Sequence, residues 1–266
     1  MSLASRTGAV WRRREVVRTL VVRDLQVRYQ RSWLGYVWTV LDPLAMSAIY
    51  FLVFVGIFKR GDVGHKPYFL FLVIGLLSWQ WFSGTLTDTA RSLLQDAKLV
   101  RSTNLPREVW VVRVVLAKGI EYVYSLPVLA LFAIAYGLRG DVHFSWRLVL
   151  LPLGVALQFF LLVGIGLLLA PVTALVTDMQ RVIRILLRMA FYATPVIYAQ
   201  LKVPHPWNRI LELNPMTGVL ELQRAGFFRE GLQVRAVLVS VVASVLIFLL
   251  GSWTFTRLER SVLKEI

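Results

Sequence analysis

Apolar residues in this chain gather into long runs separated by short polar, mostly basic, segments. The runs cover 36–58, 68–86, 110–138, 148–176, 189–200 and 236–255. Five of the six approach or pass the roughly 20 residues a helix needs to cross a hydrocarbon core about 30 Å thick. Inside lipid a chain must satisfy its backbone groups internally, so such runs form helices rather than open strands. The pattern predicts an all-α integral membrane protein of six transmembrane helices in a single domain, 1–266, with 189–200 as its shortest span.

The segments between the runs carry patterns of their own. In 1–31, Arg12, Arg13, Arg14, Arg18, Arg23, Arg28 and Arg31 interleave with Val17, Leu20, Val21, Leu25 and Val27, which predicts an amphipathic helix at the membrane interface. Asp42 and Pro43 interrupt the first run early, where a proline bends or restarts a helix. The glycine-containing segment 59–66 turns the chain into a hairpin with the second run. Between the second and third runs, Leu93, Leu94, Ala97, Leu99 and Val100 recur at helical spacing, with Ser92 placed to cap the start and Pro106, after Asn104, to end it. Arg181, Arg184 and Arg188 form a basic stripe on one helical face leading into the fifth run. From 202 to 235 the chain is too polar to span and too apolar for a solvated loop, and short helices at the outer surface satisfy both.

Composition supports this reading. Apolar residues make up 57% of the chain at a mean hydropathy of +0.64, against about 45–50% apolar in an average soluble domain. The net charge of +15 would point to nucleic acid in a soluble protein. Here the charge belongs to the loops and to anionic headgroups, and no nucleic-acid partner is expected. The segments before Ser32, from Arg91 to Arg113, from Arg181 to Arg188 and after Thr256 hold nineteen basic residues against ten in the other loops. The positive-inside rule then puts both termini in the cytoplasm of a bacterial inner-membrane protein. The absence of cysteine excludes disulfides, thiolate catalysis and cysteine zinc sites. The first fifteen residues lack the apolar core of a secretory signal.

Candidate chemistry follows from position. No G-x-x-x-x-G-K-[S/T] phosphate loop is present, so no ATP hydrolysis is expected from this chain alone. Tyr50, Phe54 and Phe58 lie four apart, and Trp79 and Phe82 three apart, on their helices. Such rings can pack on the C–H faces of sugars, or they can face lipid and anchor at the interface. Arg28, Arg31, Arg181, Arg184 and Arg188 fall near the inner headgroup plane, where guanidinium forks grip phosphate and where positive-inside topology also puts them. Lys118 and Glu121, one turn apart, can neutralise each other.

The block Arg28-Tyr29-Gln30-Arg31-Ser32-Trp33-Leu34-Gly35-Tyr36-Val37-Trp38, followed by Leu41-Asp42-Pro43-Leu44, resembles the opening of the permeases of ABC exporters for O-antigen, teichoic acid, capsule and related polysaccharides. Asn104-Leu105-Pro106, Ala193-Thr194-Pro195-Val196-Ile197-Tyr198 and Leu213-Asn214-Pro215-Met216-Thr217 continue the likeness in order along nearly the whole chain. The resemblance implies a homodimer of six-span permeases joined to two ATP-binding cassette ATPase subunits, which hold the ATP and magnesium; this chain binds no cofactor. It implies a polyprenyl-pyrophosphate-linked glycan as cargo, entering at Arg28, Arg31, Arg181, Arg184 and Arg188. Tyr50, Phe54, Phe58, Trp79, Phe82, Tyr192 and Tyr198 become passage residues. Ser92, Leu93, Ala97, Leu99, Val100, Asn104 and Pro106 become the element coupled to the ATPase, and Asn214, Pro215 and Met216 part of an external gate. The family pattern has Asn where this chain has Asp42. Galactan fits as cargo as well as the other glycans.

Two other readings share the basic headgroup plane or the architecture: a membrane enzyme acting on a polyprenyl-phosphate sugar, and an ABC exporter of small lipids or drugs. The enzyme needs clustered acids for a metal or a base, and Asp42, Asp88, Asp96, Asp178 and Glu121 are scattered along the sequence.

Overall fold

A computed structural model gives the fold and describes residues 8, 11–30, 35–60, 63–142, 144–176, 178–229 and 231–265. The described residues are helical with intervening turns and contain no strand. The first helix, α1 (Arg14–Tyr29), buries Val17, Val21 and Leu25, four residues apart on one face, against Val109 and Ala117. The arginines between them stay outside, which is the amphipathic division its sequence predicts.

A short 3-10 turn, Gly35–Val37, leads into α2 (Trp38–Phe51). This helix runs through Pro43 and continues as a π-helical turn, Leu52–Ile57. After a loop comes α3 (Tyr68–Gln95), the centre of the molecule, with Leu70, Phe71, Leu72 and Val73 fully buried. A helix apolar on all sides is stable only when surrounded. Indeed the most apolar stretch of α3 is 72% buried, against 11% for that of Gly35–Ile57, which lies at the periphery. The short α4 (Ala97–Ser102) follows, then α5 (Glu108–Leu138), α6 (Leu150–Leu175) and α7 (Met179–Tyr192). Two short helices, α8 (Trp207–Glu212) and α9 (Pro215–Arg224), precede the last, α10 (Val234–Glu265).

Among the described residues, five helical segments are long and apolar enough to cross a membrane: Gly35–Ile57, Tyr68–Gln95, Glu108–Leu138, Trp146–Leu175 and Val234–Glu265. The expected span 189–200 takes another form. Its first four residues end α7, a helix of 14 residues, and the rest is a turn. Pro195 disfavours helical geometry at Thr194, and the amphipathic stripe starts the helix ten residues earlier than expected. Ser92 also differs from expectation. It lies buried inside α3, with its hydroxyl bonded 2.9 Å to the Thr89 carbonyl, and caps nothing. The helix breaks instead at Asp96, whose side chain is drawn to Arg113 and Arg23.

The bundle has a Tyr68 end and a Gln95 end, named for the two ends of α3. α6 runs from the first to the second: Gly154 packs on Leu222 and Gln223 of α9, whereas Pro171 reaches Leu93, Val100 and Phe255. α7 returns beside α3, from Arg184 near Thr87 to Val196, past its end, against Gly75. α6 and α10 cross at glycines, where a Cβ on Gly251 would stand 2.1 Å from the Gly164 carbonyl oxygen. Small residues at such crossings let helix backbones touch.

Candidate functional site

An open-sided groove of about 540 Å³ runs between α2, α3 and α7. Its walls are Asp42, Pro43, Met46 and Tyr50 from α2, and Leu76, Trp79, Gln80, Ser83 and Thr87 from α3. Arg184, Leu187, Arg188, Phe191 and Tyr192 of α7 close the third side. From Leu76 to Thr87 the wall is about 16 Å long at 1.5 Å per helical residue. The helical spacing of Gln80, Ser83 and Thr87 puts three polar side chains on the groove face of α3.

The aromatic residues form a connected cluster. The Tyr50 ring stacks on Phe191 at 6.0 Å, Trp79 meets Phe191 at 5.6 Å, and Trp79 packs on Phe82 at 5.2 Å. From Tyr50 the rings continue to Phe54 at 6.5 Å and on to Phe58 at 6.4 Å. The π turn bears on this arrangement. Its wider loop, in which the Phe58 amide bonds the Val53 carbonyl at 2.9 Å, keeps residues four apart closer to one line than an α turn does.

Of the seven expected passage residues, Tyr50, Trp79 and Tyr192 line the groove. Phe54 and Phe58 extend the stripe toward the Tyr68 end, with Phe58 exposed. Phe82 is buried behind Trp79, and Tyr198 lies beyond α7, its hydroxyl donating to the Tyr192 carbonyl at 2.9 Å. Phe191 was missed by sequence reasoning, as were Gln80, Ser83 and Thr87. The three-and-four spacing of those polar residues was the available signal.

The arginines divide. Arg184 and Arg188 are exposed on the groove toward its Gln95 end, where Asp42 also faces it. Arg181 is exposed on the same helical stripe without lining the groove. Arg31 lies outside the described residues. Arg28 is already engaged: its guanidinium contacts Asp88 at 2.6 Å and Glu121 at 3.1 Å, and Lys118 bridges the same two carboxylates at 3.6 and 3.0 Å. Although burial opposes it, Glu121 and Asp88 together push the Arg28 pKa above its ordinary value. Burial, with Glu121 beside it, likewise raises the neighbouring Tyr29 hydroxyl well above its usual range. A guanidinium held this way fastens α1 to α3 and α5. Arg184 and Arg188 are therefore the exposed guanidinium groups on the groove wall, with Arg28 committed to the scaffold.

A second ion-pair cluster sits about one to two helical turns nearer the Gln95 end. Arg113 of α5 pairs with Asp24 of α1 at 3.1 Å and closely with Asp96, at the junction of α3 and α4, and Arg23 bonds both carboxylates. In α4, Val100 is fully buried beside Leu93, whereas Leu99 is 39% exposed and Asn104 lies on the surface. Ala97 and Pro106 are half-buried. At the other end, Asn214 caps α9, its side chain accepting from the Met216 amide at 2.9 Å, with Pro215 as first helical residue. Met216 is 1% exposed and belongs to the core.

Residues 15–228, most of the chain, match the family described as ABC-2 type transporter. The chain belongs to that family. Among its relatives, the O-antigen export system permease protein RfbA of Klebsiella pneumoniae is 27% identical over 237 residues, 89% of each chain. RfbA of Myxococcus xanthus is 29% identical over 249 residues, 93% of each chain. The polysialic acid transport protein KpsM of Escherichia coli is 25% identical over 228 residues, covering 82% of this chain and 84% of its own.

The ABC-2 match starts at the second residue of α1 and ends just beyond α9. It thus takes in the groove, both ion-pair clusters and the α4 segment. The three sides of the groove come from residues about 40, 80 and 190 of the chain, so folding assembles it from helices far apart in sequence.

Proposed function

We propose that this chain is the membrane permease of an ATP-driven exporter that moves a polyprenyl-pyrophosphate-linked polysaccharide from the cytoplasm to the outer side of the inner membrane. The observation that carries the reading is the groove, where Tyr50, Trp79, Phe191 and Tyr192 stand beside Gln80, Ser83 and Thr87 above Arg184 and Arg188. Aromatic faces suit the C–H faces of pyranoses, amide and hydroxyl groups suit their hydroxyls, and paired guanidinium groups suit a pyrophosphate. The names of the relatives, exporters of O-antigen and of polysialic acid, agree with that chemistry.

The Gln95 end is cytoplasmic in this reading, because the segments crowded there carry most of the basic residues. Six passages follow: α7 and the turn behind it supply the fifth, since they run from the Thr87 level of α3 back to Gly75. Both termini are then cytoplasmic, and 202–235 lies outside. Leu99 and Asn104, exposed on and beside α4, face a partner ATPase of which two copies serve a homodimer of this chain. Nucleotide binding there biases a two-state membrane dimer, which requires the ATPase to bind the two states with different free energies. ATP and magnesium are held by the partner.

The test is co-purification of this chain with the product of the adjacent ATPase gene, followed by measurement of surface polysaccharide in cells carrying Arg184→Ala/Arg188→Ala. A stable complex and loss of surface polysaccharide with normal membrane levels of the variant support the reading. A chain that purifies alone and turns over a lipid-linked sugar replaces it with the enzyme reading.

A further inference from the structure

At the Tyr68 end, the turn that follows α7 takes hydrogen bonds from three side chains of other segments, in addition to its own backbone bonds. A helix leaves its last carbonyls without partners. Here Asn214 donates to the Ala193 carbonyl at 3.0 Å and to the Thr194 hydroxyl at 2.8 Å. Arg224 donates to Pro195 and Val196, each at 2.7 Å, and to Phe71 of α3 at 3.3 Å. Tyr68 donates to the Ile197 carbonyl at 2.7 Å. Asn214 and Arg224 stand at the two ends of α9, so one short helix grips the turn twice.

The seat for Arg224 is built into α3. Its guanidinium is buried 3.6 Å over the Phe71 ring. At Gly75 an added Cβ would lie 2.3 Å from its Nη2 and 2.6 Å from the Val196 carbonyl oxygen. Only glycine leaves room there. α9 is itself locked in the core: a Cβ on Gly218 would stand 2.3 Å from the Ala236 carbonyl of α10, and Ser240 accepts from the Gly218 amide at 3.0 Å. The rest of α7 is loosely held, with Ile183 its one buried residue.

We propose that Arg224 and Asn214 are positioning residues of the passage, which clamp the outer end of α7 to α9 and α3 so that α9 keeps its place against α7 while cargo moves. The clamp sets Phe191 and Tyr192, immediately before the turn, against Tyr50 and Trp79. α9 is then a fixed brace, and the movable part of α7 is the exposed half that carries Arg184 and Arg188. The proposal rests on the groove being the export passage.

Two measurements test it, the first independent of transport. In the purified chain, Arg224→Met raises amide exchange across 190–198 about tenfold, as expected when bonds from a charged donor are lost, and Arg224→Lys restores part of the protection. Unchanged exchange overturns the clamp. Should Arg224→Met fail to fold, Asn214→Ala carries the same readout. The second uses the absence of native cysteine. Ala193→Cys/Leu213→Cys, exposed positions flanking the bond from Asn214 to the Ala193 carbonyl, is joined on intact cells by a short bis-methanethiosulfonate linker, and surface glycan is labelled by mild periodate oxidation with a hydrazide dye. Labelling at or above that of the unlinked variant supports a static brace; labelling abolished by the linker and restored by reductant overturns it. If deletion of the chain leaves labelling unchanged, the export reading fails, and the exchange measurement still decides the clamp.

Discussion

Replacing Arg113 with Met tests how α1 is held. The Arg113 side chain is 4% exposed and lies between Asp24 and Asp96, whose side chains are 21% and 17% exposed. Removing one partner of a fully buried ion pair costs about 3–5 kcal/mol, because the other charge is left unpaired. Here both carboxylates reach some solvent, and Arg23, 39% exposed, still bonds each of them. The expected loss is therefore about 2 kcal/mol, or roughly 5 °C of thermal midpoint for a chain of this size. The damage should concentrate on α1, whose arginines become faster tryptic sites as the helix lifts from Val109 and Ala117. The variant Asp24→Leu/Asp96→Leu/Arg113→Met removes all three charges and leaves apolar groups of similar bulk. It should recover most of the loss, to within about 1 kcal/mol of the native chain, since an ion pair replaced whole by apolar groups is close to neutral. Thermal unfolding in detergent with tryptic cleavage rates checks both. A triple variant as unstable as Arg113→Met refutes the reasoning, since the network would then contribute net stability beyond satisfying its own members.

Other consequences follow from contacts already described. Gly251→Ala must part α6 from α10, because its Cβ would meet the Gly164 carbonyl oxygen; a loss of about 1–3 kcal/mol is expected, read as a lower detergent melting temperature, whereas Gly231→Ala, with nothing within 4 Å, should leave it unchanged. Leu99→Asp and Val100→Asp should separate: the first, at an exposed site, leaves folding intact and abolishes ATPase co-purification, while the second buries a carboxylate and lowers yield in the membrane. Arg188→Ala should lower export at least tenfold with an unchanged melting temperature, measured by surface glycan labelling. Arg28→Ala should instead lower the melting temperature by stranding Asp88 and Glu121.

The elements themselves were legible because lipid imposes so strict a rule. A run of apolar residues long enough to cross must be helical, and five of the six predicted runs are found within the five long helices. Helical spacing also gave the buried face of α1 and the basic stripe of α7. What failed locally was decided by contacts that spacing does not carry. Ser92 has the chemistry of a cap and lies inside a helix, because Asp96 is the residue that Arg113 and Arg23 draw away. The fifth run lost most of its predicted helix to Pro195 and to a turn held by Asn214, Arg224 and Tyr68.

By itself the sequence determined that the chain lives in a membrane, where its five long apolar helices fall and which family it resembles, because hydropathy, helical period and motif order are properties of neighbouring residues. It could name Tyr50, Trp79, Arg184 and Arg188 as candidates but could not bring them together, nor show that Arg28 is neutralised by Asp88 and Glu121, 60 and 93 positions away in the chain. Those facts belong to tertiary structure. The side on which α2, α3 and α7 meet, the charge that finds a partner and the glycine that makes room for Arg224 depend on distances in space that no local pattern records.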